Sequence, residues 1–168
     1  MSVSTGLRII VADLLRRPGA QRDVSIDAPL PDLAAGPVAV PPDAAVHIDA
    51  TLERIPEGIV VRGEVDVVWA AECSRCLKPV QGTLAVGIDE LFEPHPIDGE
   101  TYLLDHDVID LDQVVRDNVL LELPPAPHCR EDCRGLCPTC GADRNEAECG
   151  CVEETSDPRW AELRSLEL

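Results

Sequence analysis

The feature that most constrains this chain is the grouping of its cysteines: Cys73-Ser-Arg-Cys76, then Cys129 and Cys133, then Cys137-Pro-Thr-Cys140-Gly141, then Cys149-Gly-Cys151. Two residues between cysteines let both sulfurs reach one tetrahedral ion at ~2.3 Å while the intervening backbone turns. One such pair is a weak signal. Two pairs with four further cysteines in 168 residues form a strong one. Met1 to Leu15 show no basic segment followed by an apolar stretch of signal-peptide length, and no apolar run reaches the ~18 residues of a membrane span. The expectation is a cytoplasmic protein with no membrane partner. Thiols at these spacings in that reducing compartment are metal ligands rather than disulfide partners.

Eight thiols suffice for zinc as the cofactor, one or two ions in closed tetrahedral sites. Short loops cost less to close, which favours Cys137 and Cys140 joining Cys149 and Cys151, and leaves Cys73 and Cys76 with Cys129 and Cys133. The interleaved alternative joins Cys73 and Cys76 to Cys137 and Cys140, as in a zinc ribbon with a large insertion. His128 can replace a cysteine in principle, but reads as a solvated loop histidine. Competing chemistries are a Cys-x-x-Cys oxidoreductase, which needs a βαβ context not found here, and an iron–sulfur carrier.

Upstream of the second cysteine group the pattern is that of strands. Leu7 to Val11 reads as a short apolar strand, Ala12 to Arg16 as at most one helical turn, and Arg17-Pro18-Gly19-Ala20 as a turn. Five prolines between Pro29 and Pro42 make that stretch a loop or an edge strand, because proline cannot donate to a ladder. Val46, Ile48, Ala50 and Leu52 alternate with His47, Asp49, Thr51 and Glu53, the period of a strand with one buried face. Pro56-Glu57-Gly58 turns the chain into a second run on Ile59, Val61, Gly63, Val65, Val67 and Trp69. A third, Val80 to Ile88, follows Cys76 and places the first cysteine pair on a hairpin tip. Asp110 is a cap for a helix over residues 111–123, with Leu111, Val114, Val115, Val119 and Leu121 on one broad face. Pro124, Pro125 and Pro127 end it. Asp157-Pro158 opens a short terminal helix bearing Trp160, Leu163 and Leu166.

The fold class expected is α+β, mainly antiparallel β: a curled or barrel-like sheet with one covering helix and a cysteine-rich, zinc-stapled C-terminal lobe. The division expected is residues 1–127 for the β core, with its helix and the Cys73/Cys76 knuckle, and residues 128–168 for the lobe.

Charge restricts the partners. Lys and Arg number 14 against 32 Asp and Glu, a formal net charge of −18, and a zinc held by four thiolates adds about −2 per site. A nucleic-acid backbone is repelled on average by such a chain, which also has few aromatics for stacking, namely Trp69, Phe92, Tyr102 and Trp160. The field favours a basic protein partner. His-Glu-x-x-His, a Gly-rich phosphate loop and a nucleophile elbow are all missing, so no catalytic residues are assigned and the chain is read as a non-enzyme.

Several segments taken in order resemble a known family. They are Leu14-Leu15-Arg16-Arg17-Pro18-Gly19, Glu72-Cys73-Ser74-Arg75-Cys76-Leu77, and Val115-Arg116-Asp117-Asn118-Val119-Leu120-Leu121-Glu122-Leu123-Pro124. Cys133-Arg134-Gly135-Leu136-Cys137-Pro138-Thr139-Cys140-Gly141, Asn145, Cys149-Gly150-Cys151 and Asp157-Pro158-Arg159-Trp160 follow. The chain is similar in these to the YceD-like large ribosomal RNA subunit accumulation proteins. The resemblance implies a metal-binding bacterial or plastid protein needed for normal accumulation of large-subunit (23S) ribosomal RNA, often encoded beside a small zinc-ribbon protein of the large subunit.

The resulting expectation is a non-enzymatic factor in large-subunit assembly, acting through a basic ribosomal protein or a large-subunit precursor. Arg75, Asn118, Glu122, Arg134 and Asn145 are the candidate partner contacts. The alternative is a zinc-dependent module acting directly on ribosomal RNA through Arg75, Arg130, Arg134 and Arg144. A processing nuclease is the third class.

Overall fold

The structure, a computed structural model, describes residues 6–151; the terminal helix expected after Asp157 lies outside them. In chain order the elements are β1 (Arg8–Ile10), α1 (Ala12–Leu15), β2 (Gln21–Pro29), β3 (Ala34–Ala35), β4 (Val38–Ala39), β5 (Ala45–Arg54), β6 (Ile59–Glu72), β7 (Pro79–Glu93), β8 (Tyr102–Leu103), β9 (Val108–Asp110) and α2 (Leu111–Glu122).

The three alternating runs form the antiparallel meander that their short connections require. β5 pairs with β6 from His47↔Asp66 to Arg54↔Ile59, and β6 with β7 from Ile59↔Phe92 to Glu72↔Pro79. Cross-strand partners share a face, so the period of two becomes rows across the sheet. Ile26, Ile48, Val65 and Val86 form one inward row, and Ile48, Val65 and Val86 are buried. The outward rows are Asp27, His47, Asp66 and Ala85, then Ser25, Asp49, Glu64 and Gly87, then Asp23, Thr51, Arg62 and Asp89.

β2 is not among the strands expected from the sequence. Its Val24, Ile26 and Ala28 do alternate with Asp23, Ser25 and Asp27, but as an edge strand paired only with β5 it buries just Ala28 among them. The proline-rich stretch yields only the two-residue strands β3 and β4, which pair with each other. β4 also takes up the β5-side edge of β6 at Ala39↔Ala70, past the break at Pro41-Pro42.

The sheet is open. Its order runs β2-β5-β6-β4-β3, with β7 on the other edge of β6 and the parallel β8 beyond it, so β2 and β8 do not meet and a barrel-like closure is not formed. The inward rows share one buried apolar cluster with Leu7, Val11, Ile109, Leu111, Val114, Val115 and Val119 from the β1–β9 pair and α2. Asp110 caps α2, its carboxylate accepting from Asp112 N at 3.0 Å. The helix stops at Glu122 because Leu123, at φ −58° and ψ 134°, precedes Pro124 and is pushed out of the helical region.

Among the described residues no polar or charged side chain is buried, but Cys73, Cys76, Cys133 and Cys137 are. No described helix is long and apolar enough to cross a membrane.

Candidate metal centre

The β6–β7 ladder ends at Glu72↔Pro79, and residues 73–78 between the strands form the first knuckle. Leu77 N donates to Cys73 O at 2.9 Å, and Cys73 N donates to Lys78 O at 2.8 Å. The second knuckle repeats this four residues after Cys133: Gly141 N donates to Cys137 O at 2.8 Å and Cys137 N to Ala142 O at 2.8 Å. Both need a left-handed residue after the second cysteine. Gly141 takes φ 73° freely, whereas Leu77 takes φ 60° against its Cβ.

The eight thiols fall into two groups, Cys73 with Cys76, Cys129 and Cys133, and Cys137 with Cys140, Cys149 and Cys151. Within each, all four sulfurs lie within 4.8 Å of one another. In the first tetrad Cys73 Sγ and Cys133 Sγ are 3.9 Å apart, and Cys76 Sγ and Cys129 Sγ 3.7 Å. Sulfurs ~2.3 Å from a common ion at tetrahedral angles lie about 3.8 Å apart; a disulfide needs about 2.05 Å. Hence the residues fit a metal ion, and the local partition of the thiols is the one formed. All eight cysteines are free.

Backbone N–H groups turned toward sulfur prepare the thiolates. Burial pushes the Cys73 thiol up, but the N–H groups of Arg75, Cys129 and Cys76 outweigh it and hold the thiol down to about 5. Hydrogen bonds from Cys140 N and Thr139 N hold Cys137 down to about 6. Within the same tetrads Cys129 is pushed up to about 12, first by burial and then by the neighbouring sulfurs, and Cys151 to about 12 by Cys140 and burial. Four adjacent thiols cannot all ionise alone; a dication at their centre removes that repulsion.

The connection between the tetrads is tightly built. Gly135 sits at φ 70°, and a Cβ there would come within 2.8 Å of Arg75 O. That fit lets Leu136 N donate to Arg75 O at 3.0 Å and Arg144 N to Gly135 O at 2.9 Å. Lys78 Nζ reaches Asp143 Oδ2 at 2.7 Å and Glu146 Oε1 at 2.8 Å. Lys78 and the N–H of Asn145 together hold the Asp143 carboxyl down to about 2.

The candidate partner contacts separate into two places. Arg75, Arg134 and Asn145 lie at the tetrads. Arg75 Nη1 donates to Glu131 O and Cys133 O at 3.1 and 3.0 Å, and Arg134 Nη2 pairs with Glu148 at 3.1 Å. Asn118 and Glu122 lie on α2, away from the thiols in the chain; Asn118 Nδ2 donates to Glu90 Oε1 and Val114 O, and Glu122 is exposed. His128 is exposed and outside both tetrads. Leu77, Lys78, Gly135 and Asp143 escape a sequence reading: none is a ligand type at a motif position, and each acts through a backbone angle or a pairing that only folding supplies.

Residues 61–167, which include both tetrads, match the family model described as large ribosomal RNA subunit accumulation protein YceD. The chain belongs to the YceD family. An uncharacterized protein of Mycobacterium bovis is 38% identical over 169 residues, covering 96% of this chain and 81% of its own length. An uncharacterized protein of Mycobacterium leprae is 34% identical over 167 residues, covering 93% and 75%. A 58-residue segment, 34% of this chain, is 36% identical to 18% of the large ribosomal RNA subunit accumulation protein YCED homolog 1, chloroplastic, of Arabidopsis thaliana. No solved structure matches the chain. The YceD family name implies a role in accumulation of large-subunit ribosomal RNA.

Proposed function

We propose that this YceD-family chain is a cytoplasmic, non-catalytic zinc-binding factor that supports large-subunit assembly by docking a basic ribosomal protein, free or within a large-subunit precursor. The observation that carries the choice of partner is the solvent face of the sheet. Its outward rows gather Asp23, Asp27, Asp49, Glu53, Glu64, Asp66 and Asp89 around one arginine, Arg62, and one histidine, His47. Arg62 is engaged by Glu53 and Asp89 at 3.2 and 3.0 Å. Asp27 and Asp49 flank the half-buried His47 at 2.8 and 3.1 Å and raise its pKa. The surplus of carboxylates steers cationic partners and repels phosphate. The donors support zinc: four soft thiolates in a tetrahedral set suit it, and a closed set leaves no coordination position for chemistry on a substrate.

The test is binding to purified basic large-subunit proteins and, separately, to protein-free large-subunit RNA at matched ionic strength. Tight protein binding that weakens with salt, and weakens further in Asp49→Asn/Glu64→Gln/Asp66→Asn, is the expected result. The RNA-binding alternative draws on Arg75, Arg130, Arg134 and Arg144, of which the first three gather beside the first tetrad with guanidinium groups bonded within the chain. Tight binding to protein-free RNA, abolished by replacing those arginines, would select it instead.

A further inference from the structure

Cys133 and Cys137, four positions apart, belong to different tetrads, and the loop between Cys140 and Cys149 folds back over the first one. Asn145 stands at the point of contact. Its Nδ2 donates to Cys133 Sγ at 3.6 Å and to Asp143 Oδ1 at 2.7 Å, while its Oδ1 accepts from Arg134 N at 2.8 Å and Arg130 Nη2 at 2.7 Å. Both amide hydrogens and both lone pairs are used, so only one orientation of the amide serves, and aspartate lacks the donors. Asn145 is placed in turn by its own loop: Asn145 N donates to Asp143 Oδ1 at 2.8 Å, and Lys78 holds Asp143 from the first knuckle.

We propose that Asn145 couples the two metal sites: it is a positioning residue for the first tetrad, carried on the loop that the second tetrad closes. The inference rests on the reading of both tetrads as zinc sites. Closing the second site fixes residues 141–148 and with them the N–H aimed at Cys133, so occupancy of one site strengthens the other. Coupling of this kind is reciprocal, with one factor acting in both directions. Loss of an outer-shell partner of a metal ligand typically lowers affinity roughly 10- to 100-fold, and that range is the effect expected here.

The experiment is titration of the reduced, metal-free full chain with Co²⁺ and with Zn²⁺ against a competing chelator. The variants are Asn145→Ala, Asn145→Asp and Cys149→Ser/Cys151→Ser. Asn145→Ala keeps all eight thiols and should still bind two ions, one of them roughly 10- to 100-fold more weakly, with a shifted thiolate-to-cobalt charge-transfer band from that site. Asn145→Asp keeps the acceptor for Arg130 and Arg134 but not the donor to Cys133, and should weaken the same site. The double cysteine variant should bind one ion, also weakened. Unchanged affinities and an unchanged band in both Asn145 variants would overturn the coupling, as would a first site indifferent to the double cysteine change. Failure of the unaltered chain to bind either metal would overturn the zinc reading itself.

Discussion

The first tetrad joins residues 73–76 to residues 129–133, while the second is complete within residues 137–151. Their knuckles have the same backbone hydrogen bonds, yet the first is more deeply buried: Cys73, Cys76 and Cys133 are all inside, against Cys137 alone in the second. The comparison separates two uses of one motif. A site that closes more than fifty residues of chain is a tertiary staple, tying the cysteine-rich segment to the tip of the β6–β7 hairpin. A site closed within a short loop organises local backbone at a much smaller entropic cost.

The largest effect that sharpens the comparison is loss of a ligand. Binding of structural zinc is folding free energy, on the order of 10 kcal/mol in small peptides near neutral pH. Cys73→Ser should lose one ion and open residues 124–151 to proteolysis while the sheet still melts cooperatively. Cys140→Ser should lose one ion with cleavage confined to residues 138–151. His128→Ala, outside both tetrads, should keep both ions. Elemental analysis with limited proteolysis reads all three, and equal cleavage patterns in the two cysteine variants would erase the distinction between staple and local site.

A smaller effect lies in the one backbone difference between the knuckles. Leu77 is 56% exposed and holds a left-handed φ that Gly141 holds without strain. Leu77→Gly relieves about 1 kcal/mol or more of conformational strain but gives back part of it through the freer unfolded chain. The expected net gain is a few tenths to about 1 kcal/mol. Gly141→Leu imposes the strain without relief and should destabilise. Denaturant melts of the metal-loaded protein check both signs, and a loss of stability in Leu77→Gly would show that the leucine side chain contributes more than its strain removes.

The smallest effect is the pH dependence of the tie between Lys78 and Asp143. Because the Asp143 carboxyl is held near 2 in the folded chain, it stabilises the fold above its ordinary pKa of about 4, and that contribution fades as pH falls from there toward 2. In Lys78→Met the carboxyl should titrate closer to its ordinary value. An NMR titration of the Asp143 side chain measures this, and an unmoved midpoint would assign the depression to the N–H of Asn145 instead.

The sequence by itself determined the elements whose information is local. Period-two alternation gave β5, β6 and β7, since each strand buries one face and the pattern lies within the strand. Asp110, the stripe of Leu111, Val114, Val115 and Val119, and Pro124 bounded α2 through a cap and a steric stop, whereas Leu121, expected on that stripe, is 84% exposed in the last turn. The spacing of the cysteines, with the low cost of short loops, favoured the two tetrads over the interleaved pairing, and the folded backbone decided between them. Tertiary structure decided the rest. β2 is an edge strand whose inward Val24 and Ile26 are only half-buried, so its weak alternation became a strand only when β5 supplied the ladder. Whether the sheet closed depended on whether β2 and β8 met, and no local pattern carries that. Asn145 reads from the sequence as a candidate partner contact, and its place at Cys133 arises only when the Cys140–Cys149 loop folds over that thiol, because the bonds involved join residues 11 to 15 positions apart. Patterns within one element survive in the sequence; contacts between elements arise only when packing brings them together.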